Sequence, residues 1–313
     1  MTNRHAERSS VRLRTFPRIK PPAWLPAGAW PFETFGIESG DSLLAVSEFG
    51  EGPALLFVHA GGWSFIWRDL VLRLGAQFRC IFFDAPGNGQ TQDRSARPVT
   101  LEDEKRAVTR VIAALELDEF TLVAHDLGGP PALAAVGESP ELVRGIVAMN
   151  TFGWRPSGAG FRGMLALMGG GPIRTLNVQT GFIPRISSRS FGVGRHMDPV
   201  SRHAFYAGMR ARVNSFHDYM RDARRADDLY EQVDRALQGP LAKVPLLSIF
   251  GERNDPFGFQ QRWKELFPSA RQAVVAKGNH FPMCDAPDFV AFTIRSWYSE
   301  CVAQPDRQRA IEG

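Results

Sequence analysis

The segment Thr121-Leu-Val-Ala-His-Asp126-Leu-Gly-Gly-Pro-Pro131 decides the fold of this chain. A short apolar run ends at Asp126, and glycines and prolines follow before the sequence takes on a helical pattern. Small residues here let a strand, a tight turn and a helix approach one another closely. Such a turn lifts the side chain at its apex clear of the sheet, as enzymes do to present a nucleophile. We therefore predict a catalytic Asp126; the alternative is an ordinary turn between a strand and a helix, with no catalytic role.

A carboxylate at this apex points to a particular chemistry. A serine would attack a carbonyl carbon, whereas a carboxylate is poor at that reaction and competent at displacing a leaving group from an alkyl carbon. The sequence therefore indicates alkyl transfer to Asp126, followed by hydrolysis of the resulting ester.

Two further candidate catalytic groups follow later apolar runs. Asp255 comes after the run 244–250, and His280 comes after the run 272–276. Loops at the carboxyl ends of parallel strands share one rim of the sheet, so these side chains are expected near Asp126. The chain order of nucleophile, acid and histidine is typical of one large class of hydrolases. Taken singly, Asp255 also fits a turn residue before proline, and His280 also fits a loop histidine bonded to backbone.

Strand and helix patterns alternate along most of the chain. Capping residues at Thr100 and Asp103 begin one predicted helix, and a last helix covers 289–297. Alternation of this kind predicts a mostly parallel central sheet flanked by helices. The predicted strands are 43–46, 54–58, 79–83, the run before Asp126, 143–149, 244–250 and 272–276.

The segment from 151 to 243 breaks this alternation. It is rich in glycine and arginine, lacks strong strand signals and carries weak helical patches at 200–213 and 216–226. We interpret it as a helical cap inserted between sheet strands. The predicted organisation is a basic N-terminal extension (1–32), a core (33–150 and 244–302), the cap (151–243) and a C-terminal tail (303–313).

Composition fits one enzyme-sized chain of 313 residues, whose 44% hydrophobic content is enough for a substantial core. Its three cysteines lack the spacing of a metal site or disulfide framework. No secretory signal or membrane-length apolar window is evident, so a cytoplasmic protein without a membrane partner is expected. The basic N-terminal arm lacks interleaved aromatic residues, which favours a solvated tail over nucleic-acid binding. The expected partners are a small-molecule substrate and water.

Several motifs resemble those of haloalkane dehalogenases. His59-Ala-Gly-Gly-Trp-Ser-Phe-Ile-Trp-Arg68 resembles their His-Gly-x-Pro-Thr-Trp-Ser segment, one residue shorter, and His125-Asp-Leu-Gly-Gly129 resembles their His-Asp-Trp-Gly-Gly turn. Asn150-Thr-Phe-Gly-Trp154, Asp255-Pro-Phe257 and Gly278-Asn-His-Phe-Pro282 also follow the general pattern. The similarity covers roughly residues 35–300. Epoxide hydrolases share most of these motifs.

The resemblance implies an α/β-hydrolase fold and an aspartate-nucleophile mechanism. It assigns Asp126 as nucleophile and His280 as the base that activates water. Asp255 would be the acidic partner of His280, since the other position used in the family holds Asn150. The backbone N–H groups of Leu127 and Gly61 would form the oxyanion hole. No metal or organic cofactor is required.

Departures from the family pattern concern the leaving group. Dehalogenases place an indole N–H after the nucleophile and a second donor nearby, and Leu127 and Gly61 supply neither from a side chain. Trp63 or Trp154 could supply an indole N–H from elsewhere on the rim; the alternative for both is aromatic packing in the core.

Two hypotheses compete with a dehalogenase. An epoxide hydrolase needs a phenol in the cap, for which Tyr206 and Tyr219 are the candidates, again with packing as the simpler interpretation. The second competing hypothesis is a small-ligand binding protein on the same fold with weak or lost catalysis.

Overall fold

The computed structural model describes residues 13–303 and contains a nine-stranded sheet. Its spatial order is β1-β2-β4-β3-β6-β7-β8-β9, with the two-residue strand β5 paired to β2. The strands are β1 (Thr34–Ser39), β2 (Ser42–Phe49), β3 (Ala54–His59), β4 (Arg79–Phe83), β5 (Gln92–Asp93), β6 (Phe120–Asp126), β7 (Val143–Thr151), β8 (Leu246–Gly251) and β9 (Arg271–Val275).

The sheet is mostly parallel, as predicted. Strands β4, β3, β6, β7, β8 and β9 run parallel to one another, whereas β2 is antiparallel to β4 and the edge strand β1 is antiparallel to β2. The register places His59 beside His125, and Asp126 beside Thr151. The parallel strands therefore end at one edge, where the loops carrying the candidate catalytic residues meet.

Helices cover both faces of the sheet, and each face has its own buried apolar cluster. Outside the segment between β7 and β8 they are α1 (Arg68–Leu74), α2 (Leu101–Ala114), α3 (Gly129–Val136), α10 (Phe259–Leu266), α11 (Pro282–Asp285) and α12 (Pro287–Trp297). Helices α1 and α12 pack together on one face, and α2 and α3 pack together on the other. Short 3₁₀ turns cover Ser64–Trp67, Pro140–Leu142 and Val193–Arg195, and a π turn covers Tyr298–Val302.

The predicted start of α2 is confirmed in detail. The Thr100 hydroxyl accepts a hydrogen bond from the Asp103 backbone N–H, and the Asp103 carboxylate accepts one from the Thr100 backbone N–H. This reciprocal capping satisfies N–H groups that the first turn of a helix leaves unpaired.

Helices alone occupy the segment between β7 and β8. They are α4 (Ala159–Met168), α5 (Gly171–Thr180), α6 (Phe182–Ser187), α7 (Pro199–Ala211), α8 (Val213–Asp222) and α9 (Asp227–Gln238). The predicted patches at 200–213 and 216–226 correspond to α7 and α8, whereas the sequence pattern did not indicate α4, α5, α6 or α9. Helix α9 packs against α3 on the body of the fold.

The described part of the N-terminal extension does not behave as a solvated tail. Leu13 and Ile19 are buried, and Ile19 donates its backbone N–H to Thr34 at the start of β1. The physical reason is that apolar side chains alternate with the basic ones in this stretch and pack on the body. Residues 1–12 of the extension and 304–313 of the tail lie outside the described residues. Within residues 13–303, no helix combines the length and apolarity needed to cross a bilayer.

Candidate active site

Asp126 stands at the apex of the turn between β6 and α3 with a φ of 51°. This left-handed conformation is strained for a residue other than glycine. A Cβ at Gly128 would lie 2.8 Å from the backbone of His59, and one at Gly129 would lie 2.0 Å from the Thr151 hydroxyl. That hydroxyl donates to the carbonyl of Asp126 at 2.6 Å. The glycines are thus required for the close approach that holds Asp126 at the apex.

The carboxylate of Asp126 faces His280. Its Oδ2 lies 3.4 Å from the His280 Nε2. Burial acts to raise the pKa of Asp126, but the charge and hydrogen bond of His280, together with the backbone N–H of Leu127, outweigh it and hold the pKa below its ordinary value. The group is therefore an ionised carboxylate at neutral pH, which is the form that a nucleophile needs.

The structure corrects the prediction that Asp255 pairs with His280. Its carboxylate accepts hydrogen bonds from the backbone N–H groups of Phe259, at 2.7 Å, and Gln260, at 3.0 Å. These N–H groups open α10 and have no partner within their own helix, so they attract an acceptor from the preceding turn. The side chain that contacts the Nδ1 of His280 is Asn254, at 3.2 Å.

An amide at this position differs chemically from a carboxylate. It can donate to Nδ1 or, after its terminal group rotates, accept from Nδ1–H. Asn254 can therefore bond to either neutral tautomer of His280, whereas a carboxylate would accept only. Spacing alone did not reveal Asn254, because Asp255 beside it is the more familiar residue type for this role.

Asn150 holds the backbone of the histidine loop. Its amide nitrogen donates to the carbonyls of Asn279, at 3.0 Å, and His280, at 2.9 Å, and its oxygen accepts from the N–H of Gly251, at 3.0 Å. It has a φ of 40°, a conformation that asparagine tolerates better than most residues. Asn150 therefore ties the ends of β7 and β8 to the loop of the base.

A pair of buried histidines lies behind the site. The Nε2 of His125 lies 2.8 Å from the carbonyl of His280, and its Nδ1 lies 3.0 Å from the Nδ1 of His59. A carbonyl can only accept, so Nε2 of His125 carries the proton and Nδ1 of His59 donates to Nδ1 of His125. Burial lowers the pKa of His59 to about 3 and that of His125 well below its ordinary value, so both rings are neutral.

A buried carboxyl that is influenced by the charge of the nucleophile was not expected from the sequence. Glu104, on α2, is fully buried, and neither of its carboxyl oxygens has a hydrogen-bond partner within residues 13–303. Burial, and then the charge of Asp126, raises its pKa well above the ordinary value. Acidic residues are common in the first turn of a helix, so the sequence did not indicate that Glu104 would be buried.

The predicted oxyanion donors lie around the same carboxylate. The backbone N–H of Leu127 hydrogen-bonds to Asp126. Gly61 lines the cavity above it with a φ of 78°. The Leu127 side chain, by contrast, is buried in the apolar core.

Asp126 and His280 open into an apolar cavity of about 390 Å³. Its lining includes nine phenylalanines and four methionines, and seven of these thirteen residues lie on α4, α7 and α8 of the inserted segment. Among the described residues that form the lining there is no tryptophan, tyrosine, lysine or arginine. The cavity thus suits an apolar molecule and offers few side-chain donors.

All four predicted pocket residues lie outside this lining. Trp63 is buried and donates its indole N–H to the carbonyl of Phe205, and Trp154 packs among core rings. The Tyr219 hydroxyl donates to the carbonyl of Pro86 at 2.8 Å, and Tyr206 is half-buried beside His203. Packing is therefore the correct interpretation for the two indoles and Tyr219, since Trp63 and Tyr219 give their polar hydrogens to backbone carbonyls away from the cavity.

The sequence profile of the alpha/beta hydrolase family matches residues 55–291. That match spans most of the chain, so the chain belongs to the alpha/beta hydrolase family.

Among curated proteins, haloalkane dehalogenase 2 of Mycobacterium tuberculosis is 25% identical over 85% of this chain and 94% of its own. The cis-3-alkyl-4-alkyloxetan-2-one decarboxylase of Shewanella oneidensis is 29% identical over 86% of this chain and 89% of its own length.

Solved structures share the fold. A loop variant of the haloalkane dehalogenase DbeA from Bradyrhizobium elkanii has a TM-score of 0.71, 18% identity and coverage of 88% of this chain and 99% of its own. The structure of Cfl2 from Burkholderia cenocepacia has a TM-score of 0.72 and 18% sequence identity, and the match covers 89% of this chain and 100% of Cfl2. The chain is an α/β-hydrolase with haloalkane dehalogenases among its relatives.

Proposed function

We propose that this chain is a hydrolase that transfers the alkyl carbon of a small apolar substrate to Asp126 and releases it with water, as a haloalkane dehalogenase-like enzyme does. The observation that carries the proposal is the 3.4 Å approach of His280 Nε2 to the Asp126 carboxylate beneath an apolar cavity. A carboxylate held ionised at the base of an apolar cavity is a competent nucleophile toward alkyl carbon.

The first step forms a bond between an Asp126 oxygen and the alkyl carbon and breaks the bond to the leaving group. In the second step His280 takes a proton from water as the oxygen attacks the ester carbonyl. The backbone N–H groups of Leu127 and Gly61 stabilise the oxyanion. Collapse of this intermediate releases the alcohol, which takes the proton from His280. Asp126 then loses the second proton of the water to solvent and is again a carboxylate.

Asn254 and Asn150 are proposed to position the base. With its amide oxygen turned toward Nδ1, Asn254 accepts from the Nδ1–H of the neutral base and still accepts from it after Nε2 has taken the proton from water. Asn150 and His125 hold the carbonyl of His280, which fixes the loop against the nucleophile. No metal or organic cofactor enters this reaction.

A second candidate reaction is the opening of an oxetan-2-one, as named for the Shewanella relative. The observation that favours it is the shortage of side-chain donors in the lining, where Leu127 and Gly61 offer none to a departing halide. Asp126 would attack the alkyl carbon bearing the ring oxygen, and the leaving carboxylate would stay attached to the substrate. Loss of CO₂ then forms a carbon–carbon double bond and expels Asp126, without water.

Epoxide opening and ligand binding without catalysis have less support. Epoxide opening needs a phenol donor, and neither Tyr206 nor Tyr219 lines the cavity. A binding protein without catalysis would not need the ionised Asp126 opposite His280. Measurable turnover of any tested substrate would exclude the binding protein.

The test combines a trapping variant with two substrate classes. His280→Gln should form the ester and fail to hydrolyse it, so intact-protein mass spectrometry after incubation with a 1-bromoalkane should show an alkyl adduct on the peptide that contains Asp126. Asp126→Asn is the matched control and should show none. An adduct that persists in Asp126→Asn, or that maps to another residue, would refute the assignment.

Wild-type protein given a dialkyl oxetan-2-one separates the two reactions. Release of CO₂ and an alkene, without bromide release from the haloalkane, would favour the second candidate. Bromide and alcohol release would favour the first.

A further inference from the structure

The mouth of the cavity is bordered by large apolar side chains that reach solvent. Met164, Ile186, Phe191 and Phe257 all line the cavity and are also exposed, with Phe191 78% accessible. Leu167, on the same face of α4 as Met164, is 60% accessible. Isolated exposed apolar residues are ordinary, but a group around one opening marks an interaction surface. We call Met164, Leu167, Ile186, Phe191 and Phe257 the mouth patch.

Positive charge is concentrated in the same part of the chain. Residues 159–212 contain eight arginines, no lysine and one acidic residue, Asp198. This stretch alone carries a formal excess of seven positive charges, whereas the whole chain carries only +4. The rest of the chain is therefore net acidic. Arg174, Arg195 and Arg212 pair with acidic residues outside this stretch.

Three of these arginines lie within three residues, along the chain, of members of the mouth patch. Arg162 lies two residues before Met164, and Arg185 and Arg189 flank Ile186 in and just after α6. All three are exposed, and none forms an ion pair with another residue of the described range 13–303. Arginines used for folding instead pair, as Arg174 does with Asp218. Their charges are thus available to an outside partner.

We propose that the mouth patch and its arginines dock the protein on an anionic lipid surface. Guanidinium groups bind headgroup phosphates in a bidentate manner, and apolar side chains beside them enter the interface between headgroups and acyl chains. The mixture of exposed rings and unpaired arginines around one opening matches that layered chemistry. The surface of an acidic protein could pair with the arginines, but its charged groups would not give the exposed Phe191 ring an apolar environment.

This proposal departs from the sequence-based expectation of no membrane partner, which was drawn from the lack of a membrane-length apolar segment. Interfacial docking needs no such segment. One consequence, which depends on the proposed function, is that the apolar cavity opens toward the bilayer and receives its apolar substrate from it. The docking itself does not depend on that chemistry.

The test is vesicle flotation of the full chain. Phosphatidylcholine vesicles with about 30% phosphatidylglycerol should carry the protein upward at low salt, and pure phosphatidylcholine vesicles should carry much less, because the arginines need anionic headgroups. Arg185→Glu/Arg189→Glu should weaken binding at least about tenfold. Phe191→Ser should weaken it severalfold, and since this ring is exposed, folding is expected to be retained and is checked by circular dichroism.

Matched controls have the same chemistry elsewhere. Arg235→Glu/Lys243→Glu makes the same change in net charge, and Lys243 precedes β8, at the opposite edge of the sheet from the mouth. Phe292→Ser removes an exposed ring from α12. Both should bind within about twofold of wild type, because charges beyond the Debye length of the surface contribute little.

Three outcomes would overturn the proposal. The first is the absence of flotation with anionic vesicles. The second is an equal loss of vesicle binding in the mouth variants and the control variants. The third is a dimer that buries the mouth patch and that Phe191→Ser dissociates. Asp126→Asn separates the two proposals, because it should float like wild type. Flotation of Asp126→Asn with no turnover by wild type would leave docking intact and refute the proposed function.

Discussion

Asn254 contacts the Nδ1 of His280 at 3.2 Å, while the neighbouring Asp255 turns away to the start of α10. One residue along a turn thus separates a side chain that acts on the base from one that stabilises a helix. The base of this site has an amide partner where a carboxylate was expected.

The first prediction concerns Asn254. Asn254→Ala should slow hydrolysis of the Asp126 ester by about 10–10²-fold, part of the 10²–10⁴ that a positioned base contributes. Asn254→Asp should restore the rate, because a carboxylate also orients the ring and stabilises its protonated form. Single-turnover kinetics of ester decay measure this step separately from alkylation.

Asp255→Ala is the matched control for this experiment. Loss of the acceptor at the start of α10 should lower the free energy of unfolding by about 1 kcal/mol and leave ester decay unchanged. The reverse result, with a slowed reaction in Asp255→Ala and none in Asn254→Ala, would make Asp255 the acidic partner of His280 after all.

The second prediction concerns the missing halide donor at Gly61. A Cβ there would meet only a Phe216 ring carbon, at 3.6 Å, and asparagine tolerates its φ of 78° better than most side chains. Gly61→Asn should add an amide donor to the cavity and raise bromoalkane turnover at least about tenfold, since a well-placed donor contributes on the order of 3 kcal/mol.

Gly61→Ala is the control, since it brings the same backbone strain without the donor. Equal rates in the two variants would show that halide stabilisation does not limit the reaction. That result would also strengthen the case for oxetan-2-one opening.

The third prediction concerns His59 and acid stability. Its pKa is about 3 in the folded protein and 6.5 ordinarily, so the unfolded chain binds a proton that the folded one refuses. The contribution of neutral His59 to the free energy of unfolding is therefore complete above pH 6.5. It is lost as the pH falls toward 3, by roughly 1.4 kcal/mol per pH unit. His59→Gln keeps a donor for His125 and should flatten the fall in the free energy of unfolding across this window.

The exposed His203 offers a comparison. His203→Gln should leave the pH dependence of denaturant unfolding as in wild type. Parallel curves for His59→Gln and wild type would mean that His59 is not held neutral.

The fourth prediction concerns Glu104 and has the opposite sign. Its pKa is raised well above 4.5, so the stability it contributes is complete below pH 4.5 and is lost as the pH rises through the folded value. Glu104→Gln cannot ionise, and its stability relative to wild type should increase from pH 5 to pH 9. Urea unfolding at several pH values measures the difference, with the exposed Glu51→Gln as control. A constant difference would show that Glu104 is not protonated in the folded protein.

Local sequence determined much of this protein. The small residues around Asp126 specify a strand, a strained turn and a helix because each constraint acts within a few residues. Apolar runs separated by turn residues specified most of the parallel strands for the same reason. The strand β1 escaped prediction because its polar and apolar residues give a weak alternating signal. The positions of Asp126 and His280 follow from the ends of their strands.

Tertiary structure decided the rest. Asp255 and Asn254 are equally plausible on the chain, and the unpaired N–H groups at the start of α10 determine which one turns toward His280. Trp63 and Tyr219 belong to the core because carbonyls of distant segments meet their polar ends. Much of the cavity wall comes from helices of the inserted segment, and their weak apolar periodicity did not indicate which side chains would face the cavity. Burial of Glu104 and exposure of the mouth patch arise only when separate helices pack together, which no local pattern encodes.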